Sequence, residues 1–89
     1  MGLLIVRHKV ADYAKWRAAF GRHADAQRAG GLSGARVYRS LDDPSETTVI
    51  FEFADMAKAR AFADSADLRT TMQQAGVVGA PTVQWLTEA

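Results

Sequence analysis

The sequence contains no cysteine and no asparagine, and only two of its 89 residues are proline. The absence of cysteine excludes disulfide bonds, thiolate nucleophiles and zinc sites built on sulfur ligands. This residue usage fits a cytoplasmic protein, and the cytoplasm is therefore the location that we expect. Long apolar runs are also missing, because the run at residues 3–6 is too short for a signal peptide or a membrane span.

The chain has no marked excess of charge of either sign. It contains 11 basic and 10 acidic residues, which gives a formal net charge of +1 at pH 7. Such a balance produces no field that would attract nucleic acid or an anionic membrane, so we expect neither as a partner. The glycines at 30–31 and at 76 and 79 do not have the spacing of a phosphate-binding loop.

The residues that are present suffice for one globular unit. Hydrophobic residues make up 48% and charged residues 24% of the chain, which is typical of a globular domain. A length of 89 residues fits a single domain over residues 1–89. Segments rich in β-forming residues predict four strands, at 3–10, 32–40, 46–53 and 82–87, the last opened by Pro81.

Two helices are predicted between these strands. The first begins after the N-cap Asp12 and ends at Gly30-Gly31, where glycine supplies a positive φ. The second begins after Asp55 and ends at Gly76, and a fresh N-cap at Ser65 predicts a kink there. One face of the first helix carries an aromatic and polar stripe, formed by Tyr13, Trp16, Phe20, His23, Ala24 and Gln27.

The order of these elements predicts the fold class, α+β. Strand, helix, strand, strand, helix, strand gives a ferredoxin-like βαββαβ plait, with a four-stranded antiparallel sheet and both helices on one face. Apolar residues occur on both faces of the first and third strands, so the second face of the sheet also needs cover. We therefore expect a homodimer in which two sheets pack face to face.

Several segments of the chain resemble one superfamily. The relevant residues are His8-x-Val10-x-Asp12-Tyr13-x-x-Trp16, the passage 51–55, Ala59-x-x-Phe62 and the tail 72–81. Over nearly its whole length the chain resembles the dimeric α+β barrel superfamily, which includes antibiotic-biosynthesis monooxygenase-like domains and small polyketide cyclases. The resemblance implies the same dimeric α+β barrel here.

The resemblance implies several different activities. Some members of the superfamily oxidise polycyclic phenols with dioxygen and use neither metal nor flavin, so no cofactor is expected here. Others fold polyketides, degrade haem or have no known activity. The haem-degrading members use an asparagine, which this chain lacks.

His8 is the first candidate catalytic residue. It lies near the carboxyl end of the first strand, where Tyr13, Trp16 and Tyr38 should also lie, and these three would line the pocket for a flat aromatic ligand. A histidine with a pKa near neutrality could accept or donate a phenolic proton. The alternative is a half-buried histidine at a strand end that bonds to the backbone.

His23 is a weaker candidate. It lies about 16 Å along the first helix, which puts it on the order of 15 Å from His8, so the two cannot share a metal ion and no metal site is expected. It could instead pair with Glu52, whose charge would raise the pKa of the imidazole. The alternative is a core histidine beside Phe20.

Two functions therefore stay open at the level of sequence. The first is an enzyme similar to cofactor-independent monooxygenases or polyketide cyclases that acts on an aromatic or polyketide-like compound. The second is a non-catalytic domain that binds a small ligand or only assembles into a dimer. An apolar pocket without converging polar groups would favour the second function.

Overall fold

A computed structural model describes residues 1–89 and confirms the predicted element order. Each predicted helix is present as two consecutive segments. No helix is long and apolar enough to cross a membrane. In chain order the elements are β1 (Gly2–Val10), α1 (Tyr13–Arg22), α2 (Ala24–Ala29), β2 (Leu32–Arg39), β3 (Glu46–Phe53), α3 (Met56–Ala63), α4 (Ala66–Gln74) and β4 (Val77–Thr87).

Side-chain caps begin three of the four helices where the sequence predicts them. The carboxylates of Asp12 and Asp55 each accept a backbone N–H three residues later, at 3.1 Å. The Ser65 hydroxyl accepts the corresponding N–H at 3.2 Å and begins α4. Each bond satisfies a backbone donor that the first helical turn leaves free, so the predicted break near Ser65 is confirmed.

The first predicted helix is interrupted at one residue, His23. This residue has φ −92° and ψ 4° and separates α1 from α2. Helical hydrogen bonds continue across it, from His23 N to the Ala19 carbonyl at 3.2 Å and from Gln27 N to the His23 carbonyl at 3.1 Å. The pair therefore acts as one slightly irregular helix, which ends at Gly31 with a φ of +84°.

The four strands form one antiparallel sheet in the order β2-β3-β1-β4. In the register of the two central strands, Leu4 lies opposite Phe51 and His8 lies opposite Thr47. Side chains alternate between the faces of a strand. The even-numbered residues of β1 and the odd-numbered residues of β3 therefore face the helices, and most of them are buried.

The fourth strand begins earlier than the sequence predicts, at Val77 rather than at residue 82. Its pairing with β1 shifts between Arg7 and Lys9, so extra residues of β4 bulge opposite His8. Gly79 takes a φ of +75° in this segment. A bulge tolerates Pro81, which has no N–H to donate, and so the strand continues through the proline instead of starting there.

The hydrophobic core lies between the helices and one face of the sheet. Trp16 is its largest member and is only 4% exposed, and Ala59 of α3 is completely buried. Half-buried residues of α1 and α3, among them Phe20 and Phe62, pack against this core. Its buried members are Leu4, Val10, Trp16, Leu32, Val49, Phe51, Phe53, Ala59 and Ala75.

The opposite face of the sheet carries a second apolar surface, here called the open face. The register places Leu3, Ile5, Ile50, Val78 and Leu86 on this side. Val78 is 56% exposed and Leu86 is 37% exposed. The other three residues, which lie on the central strands β1 and β3, are half-buried. Burial of this surface would need a second molecule, because the helices occupy the other face.

Candidate functional site

His8 lies on the helix-facing side of β1, beneath α1. Only 7% of the residue is exposed. Its imidazole meets the indole of Trp16 edge to face, with 5.3 Å between the ring centres. This arrangement follows from the sequence, because an even-numbered position of β1 faces the helices and Trp16 starts the second turn of α1.

A row of aromatic rings continues from His8 along α1. Trp16 stacks on Phe20 at 5.1 Å, and Phe20 lies 6.1 Å from Phe51 of β3. Tyr13 lies 6.0 Å from Trp16 at the other end of the row. These contacts explain the predicted aromatic stripe as packing between helix and sheet, in which each ring contributes apolar area and ring–ring attraction.

A cavity of about 120 Å³ lies between the helices and the sheet, here called the inner cavity. Fourteen of its 19 lining residues are hydrophobic, so its walls suit an apolar ligand. Its size is of the order of a cavity that accepts a benzene-sized ring, about 150 Å³. Its polar or titratable lining residues are His8, His23, Gln27 and Thr71.

Two buried polar atoms have no hydrogen-bond partner in the protein, and one of them belongs to a residue that lines the inner cavity. They are Nδ1 of His8 and Oγ1 of Thr47, and Thr47 is completely buried. The two residues lie directly opposite each other on the same face of β1 and β3. Buried polar groups are nearly always paired, so the free Nδ1 of His8, which lines the inner cavity, marks a place where a ligand atom could supply the missing bond.

Burial also sets the protonation state of His8. Removal of the ring from water disfavours the charged imidazolium and lowers the pKa of His8 below its ordinary value of 6.5. A backbone contact of the residue opposes this effect but is the smaller cause. His8 is therefore neutral at pH 7 and has a free site for a proton, as a general base requires.

His23 and Gln27 form a second polar region of the inner cavity, on the helical side. His23 is half-buried, and its ring lies 5.9 Å from that of Phe62, rather than beside Phe20 as the core alternative expected. Gln27 is only 8% exposed, and its amide makes no hydrogen bond within the protein. Both side chains are available to a polar group of a ligand.

The predicted pairing of His23 with Glu52 is wrong. Glu52 lies opposite Leu3 in the register of the central strands and so points to the open face. Its carboxylate packs against Gly34 on the edge strand β2. The sheet itself separates the two side chains, because an even-numbered residue of β3 faces away from the helices.

The cleft that was expected from His8, Tyr13, Trp16 and Tyr38 is only partly assembled. His8 and Trp16 line the inner cavity together. Tyr38 pairs with Thr48 on the open face, where it is 49% exposed. The prediction placed Tyr38 at the correct end of the sheet but on the wrong face.

Tyr13 lies next to the inner cavity but not in its wall. The guanidinium of Arg39 sits over its ring, 4.0 Å from the centre, in a cation–π contact. Tyr13 instead lines a separate cleft between α1 and β2. It can reach a ligand of the inner cavity only through the adjoining ring of Trp16.

No group of three or more histidine, aspartate or glutamate side chains comes together in a way that could hold a metal ion. Sequence reasoning missed Gln27 as a site residue and did not single out Thr47, the buried residue opposite His8. Gln27 was placed on the correct helix face, but only the structure shows its amide without an internal partner. Thr47 carried no signal, since a threonine in a strand is an ordinary β-former.

Comparison with solved structures places this architecture in a known group. An antibiotic biosynthesis monooxygenase-like protein of Bordetella bronchiseptica superposes with a TM-score of 0.80 at 19% identity, covering 99% of this chain and 96% of that chain. SnoaB of Streptomyces nogalater, a cofactor-independent oxygenase, gives 0.75 at 16% identity over 99% and 92% of the two chains. A conserved protein of Methanosarcina mazei gives 0.76 at 12% identity over 100% and 94%.

These likenesses confirm the resemblance at the level of the fold. The chain has the ferredoxin-like α+β fold of the antibiotic biosynthesis monooxygenase-like structures over its whole length. No family model matches the sequence, and no curated protein matches it. The activity therefore has to be argued from the inner cavity and its residues.

Proposed function

We propose that the protein binds an aromatic or polyketide-like compound in the inner cavity and acts on it in the manner of a cofactor-independent monooxygenase or a polyketide cyclase. One observation carries the proposal: a buried histidine whose Nδ1 has no partner in the protein lines a mainly hydrophobic cavity. His8 is the proposed catalytic residue, and Trp16 is the proposed binding surface. The cytoplasm is still the location expected from the sequence.

The proposed first step is a proton transfer to His8. The O–H bond of a bound phenol breaks, the proton moves to the imidazole, and the electron pair stays on the phenol oxygen. The phenolate is electron-rich, and dioxygen is the oxidant in the monooxygenase form of the proposal. The lowered pKa of His8 keeps the base unprotonated, while the apolar walls exclude water from the reacting ring.

The test uses 1-naphthol, which dioxygen converts to 1,4-naphthoquinone and water. The native protein should bind 1-naphthol and consume dioxygen as the quinone forms. His8→Gln keeps a polar side chain of similar length but cannot act as this base, so it should bind 1-naphthol without dioxygen uptake. His23→Gln removes the other histidine that lines the inner cavity and should keep dioxygen uptake, whatever its effect on affinity.

Different failures of this test would have different meanings. Absence of binding to the native protein would contradict the small-molecule proposal as a whole. Dioxygen uptake that persists in His8→Gln would remove His8 from the mechanism. Binding without dioxygen uptake by any variant would favour the non-catalytic alternative, for which the mainly hydrophobic lining of the cavity is the supporting observation.

We also propose that two copies associate through their open faces. Leu3, Ile5 and Ile50 form a contiguous apolar strip on the central strands, and ion pairs such as Arg7–Glu46, at 3.6 Å, lie beside it. An apolar centre with a polar rim is typical of a protein interface. Sedimentation should therefore show a dimer, and Ile5→Glu should dissociate it.

The control for the dimer test is Ala18→Glu, which adds the same charge at an exposed position of α1. This variant should stay dimeric. A native protein that sediments as a monomer at micromolar concentration would contradict the association. Equal dissociation by both variants would show that charge, and not the open face, controls assembly.

A further inference from the structure

A small cleft opens on the surface between α1 and α4, here called the outer cleft. Lys15 and Arg22 of α1 lie on its rim, and Gln74 of α4 lies across from them. Lys15 and Arg22 are seven residues apart, which is close to two helical turns, so they project from the same face. Their Cα atoms are therefore roughly 10 Å apart, a gap that two long, flexible side chains can close around one ligand group.

The charge of the outer cleft is one-sided. Its seven lining residues include two cations and one histidine, and none is acidic. The ion pairs of the protein are Arg7–Glu46, Lys9–Asp43 and Arg28–Asp25, so neither Lys15 nor Arg22 is neutralised by a carboxylate. Two aspartates are near in sequence and neither lines the cleft: Asp12, three residues before Lys15, caps α1, and Asp25, three residues after Arg22, pairs with Arg28. The unpaired charges favour an anion.

The outer cleft and the inner cavity adjoin. Four residues line both of them, namely Ala19, His23, Thr71 and Ala75. Three of these four side chains are short. A ligand that occupies both regions has to pass only these shared residues, beside His23, to reach the cations on the surface.

We propose that the ligand of this protein is an apolar ring compound that carries a carboxylate, and that Lys15 and Arg22 bind this carboxylate in the outer cleft. The inference rests on the proposed function, because the ring must occupy the inner cavity. The two regions then have separate tasks. Apolar burial holds the ring beside Trp16, and charge selects and orients the acid end.

Three probes that differ in one group test this assignment. They are 3-phenylpropanoate, its neutral amide 3-phenylpropanamide, and 3-phenylpropyl phosphate. Each has a benzene-sized ring and a short chain that reaches from the cavity to the cleft. Titrations followed by ¹H–¹⁵N spectra of the whole protein give the dissociation constant, and the indole N–H of Trp16 reports occupancy of the inner cavity.

The native protein should bind the carboxylate roughly fivefold more tightly than the amide, and 0.5 M salt should remove most of that preference. The double variant Lys15→Gln/Arg22→Gln should lose the preference but keep its affinity for the amide. Lys58→Gln/Arg69→Gln, which removes equal charge from exposed positions of α3 and α4 outside the cleft, should keep it.

Each contrary result would rule out a different part of the proposal. Equal affinity of the native protein for acid and amide, with both shifting Trp16, overturns the carboxylate assignment and leaves the inner cavity as a binding site. Tighter binding of the phosphate overturns the choice of carboxylate. If no probe shifts residues of the inner cavity, then the proposed function fails and this inference fails with it.

Discussion

The buried imidazole of His8 makes stability depend on pH in a predictable direction. Burial lowers the pKa of His8 in the folded protein below 6.5, the ordinary value that it regains in the unfolded chain. Well above pH 6.5 the histidine is neutral in both states and contributes no pH dependence. As the pH falls below 6.5, the unfolded chain takes up a proton that the folded protein does not, and so the free energy of unfolding decreases.

The size of this effect has an upper limit. One proton of difference between the two states changes the free energy of unfolding by at most about 1.4 kcal/mol per pH unit. The loss ends at the pH where the folded protein also protonates His8. For a domain with a typical stability of about 5–15 kcal/mol, a loss of this size is readily measured. Carboxylates do not obscure it, since Asp and Glu ordinarily titrate near pH 4.

Urea denaturation at fixed protein concentration, between pH 5 and 7.5, measures this slope. His8→Gln should flatten the curve below pH 6.5, because glutamine does not titrate. His23→Gln keeps His8 and should keep the slope. If the native protein and His8→Gln gave identical curves, then the imidazolium would be well solvated in the folded state. Burial would then not be what keeps His8 neutral in the folded protein.

Three further changes test the packing around the site. Thr47→Val removes a buried hydroxyl that has no partner and keeps the branched shape of the side chain. Chemical denaturation should therefore show a free energy of unfolding that is unchanged or higher by up to about 1–3 kcal/mol. A clear loss would reveal a partner for Oγ1. Trp16→Ala should cost about 3–5 kcal/mol, and a cost below 1 kcal/mol would contradict its place in the core. Gly30→Ala puts a methyl group 2.5 Å from the Phe62 ring and should lower the free energy of unfolding by about 1–3 kcal/mol. Gly21→Ala is the control, because the added methyl group has space there.

Local signals were sufficient to predict most of the fold. Asp12, Asp55 and Ser65 all cap helices as predicted, because an N-cap depends on neighbours only three residues away. The third strand, Glu46–Phe53, has the predicted bounds. The start of β4 was missed because Pro81 usually ends or opens a strand, and only the register with β1 shows that a bulge accommodates it.

The site was predicted less well, because it depends on which face of the sheet each side chain occupies. Tyr38 and Glu52 were placed at sensible positions along their strands but lie on the open face. A shift of one residue in register exchanges the two faces of a strand. The bulged pairing of β2 with β3, between Ser33 and Arg36, disturbs the simple count along that strand.

The bulge in β4 connects the fold to the proposed chemistry. Regular pairing of β1 with β4 stops at Arg7 and resumes at Lys9, so His8 is the residue of β1 that this pairing omits. Pro81, within the bulged segment, lines the inner cavity with His8. β-Bulges are common beside active sites, where they redirect a strand and make room for a ligand. The single proline that misled the strand assignment thus lies where the sheet departs from regular pairing, next to the buried histidine that we propose as the base.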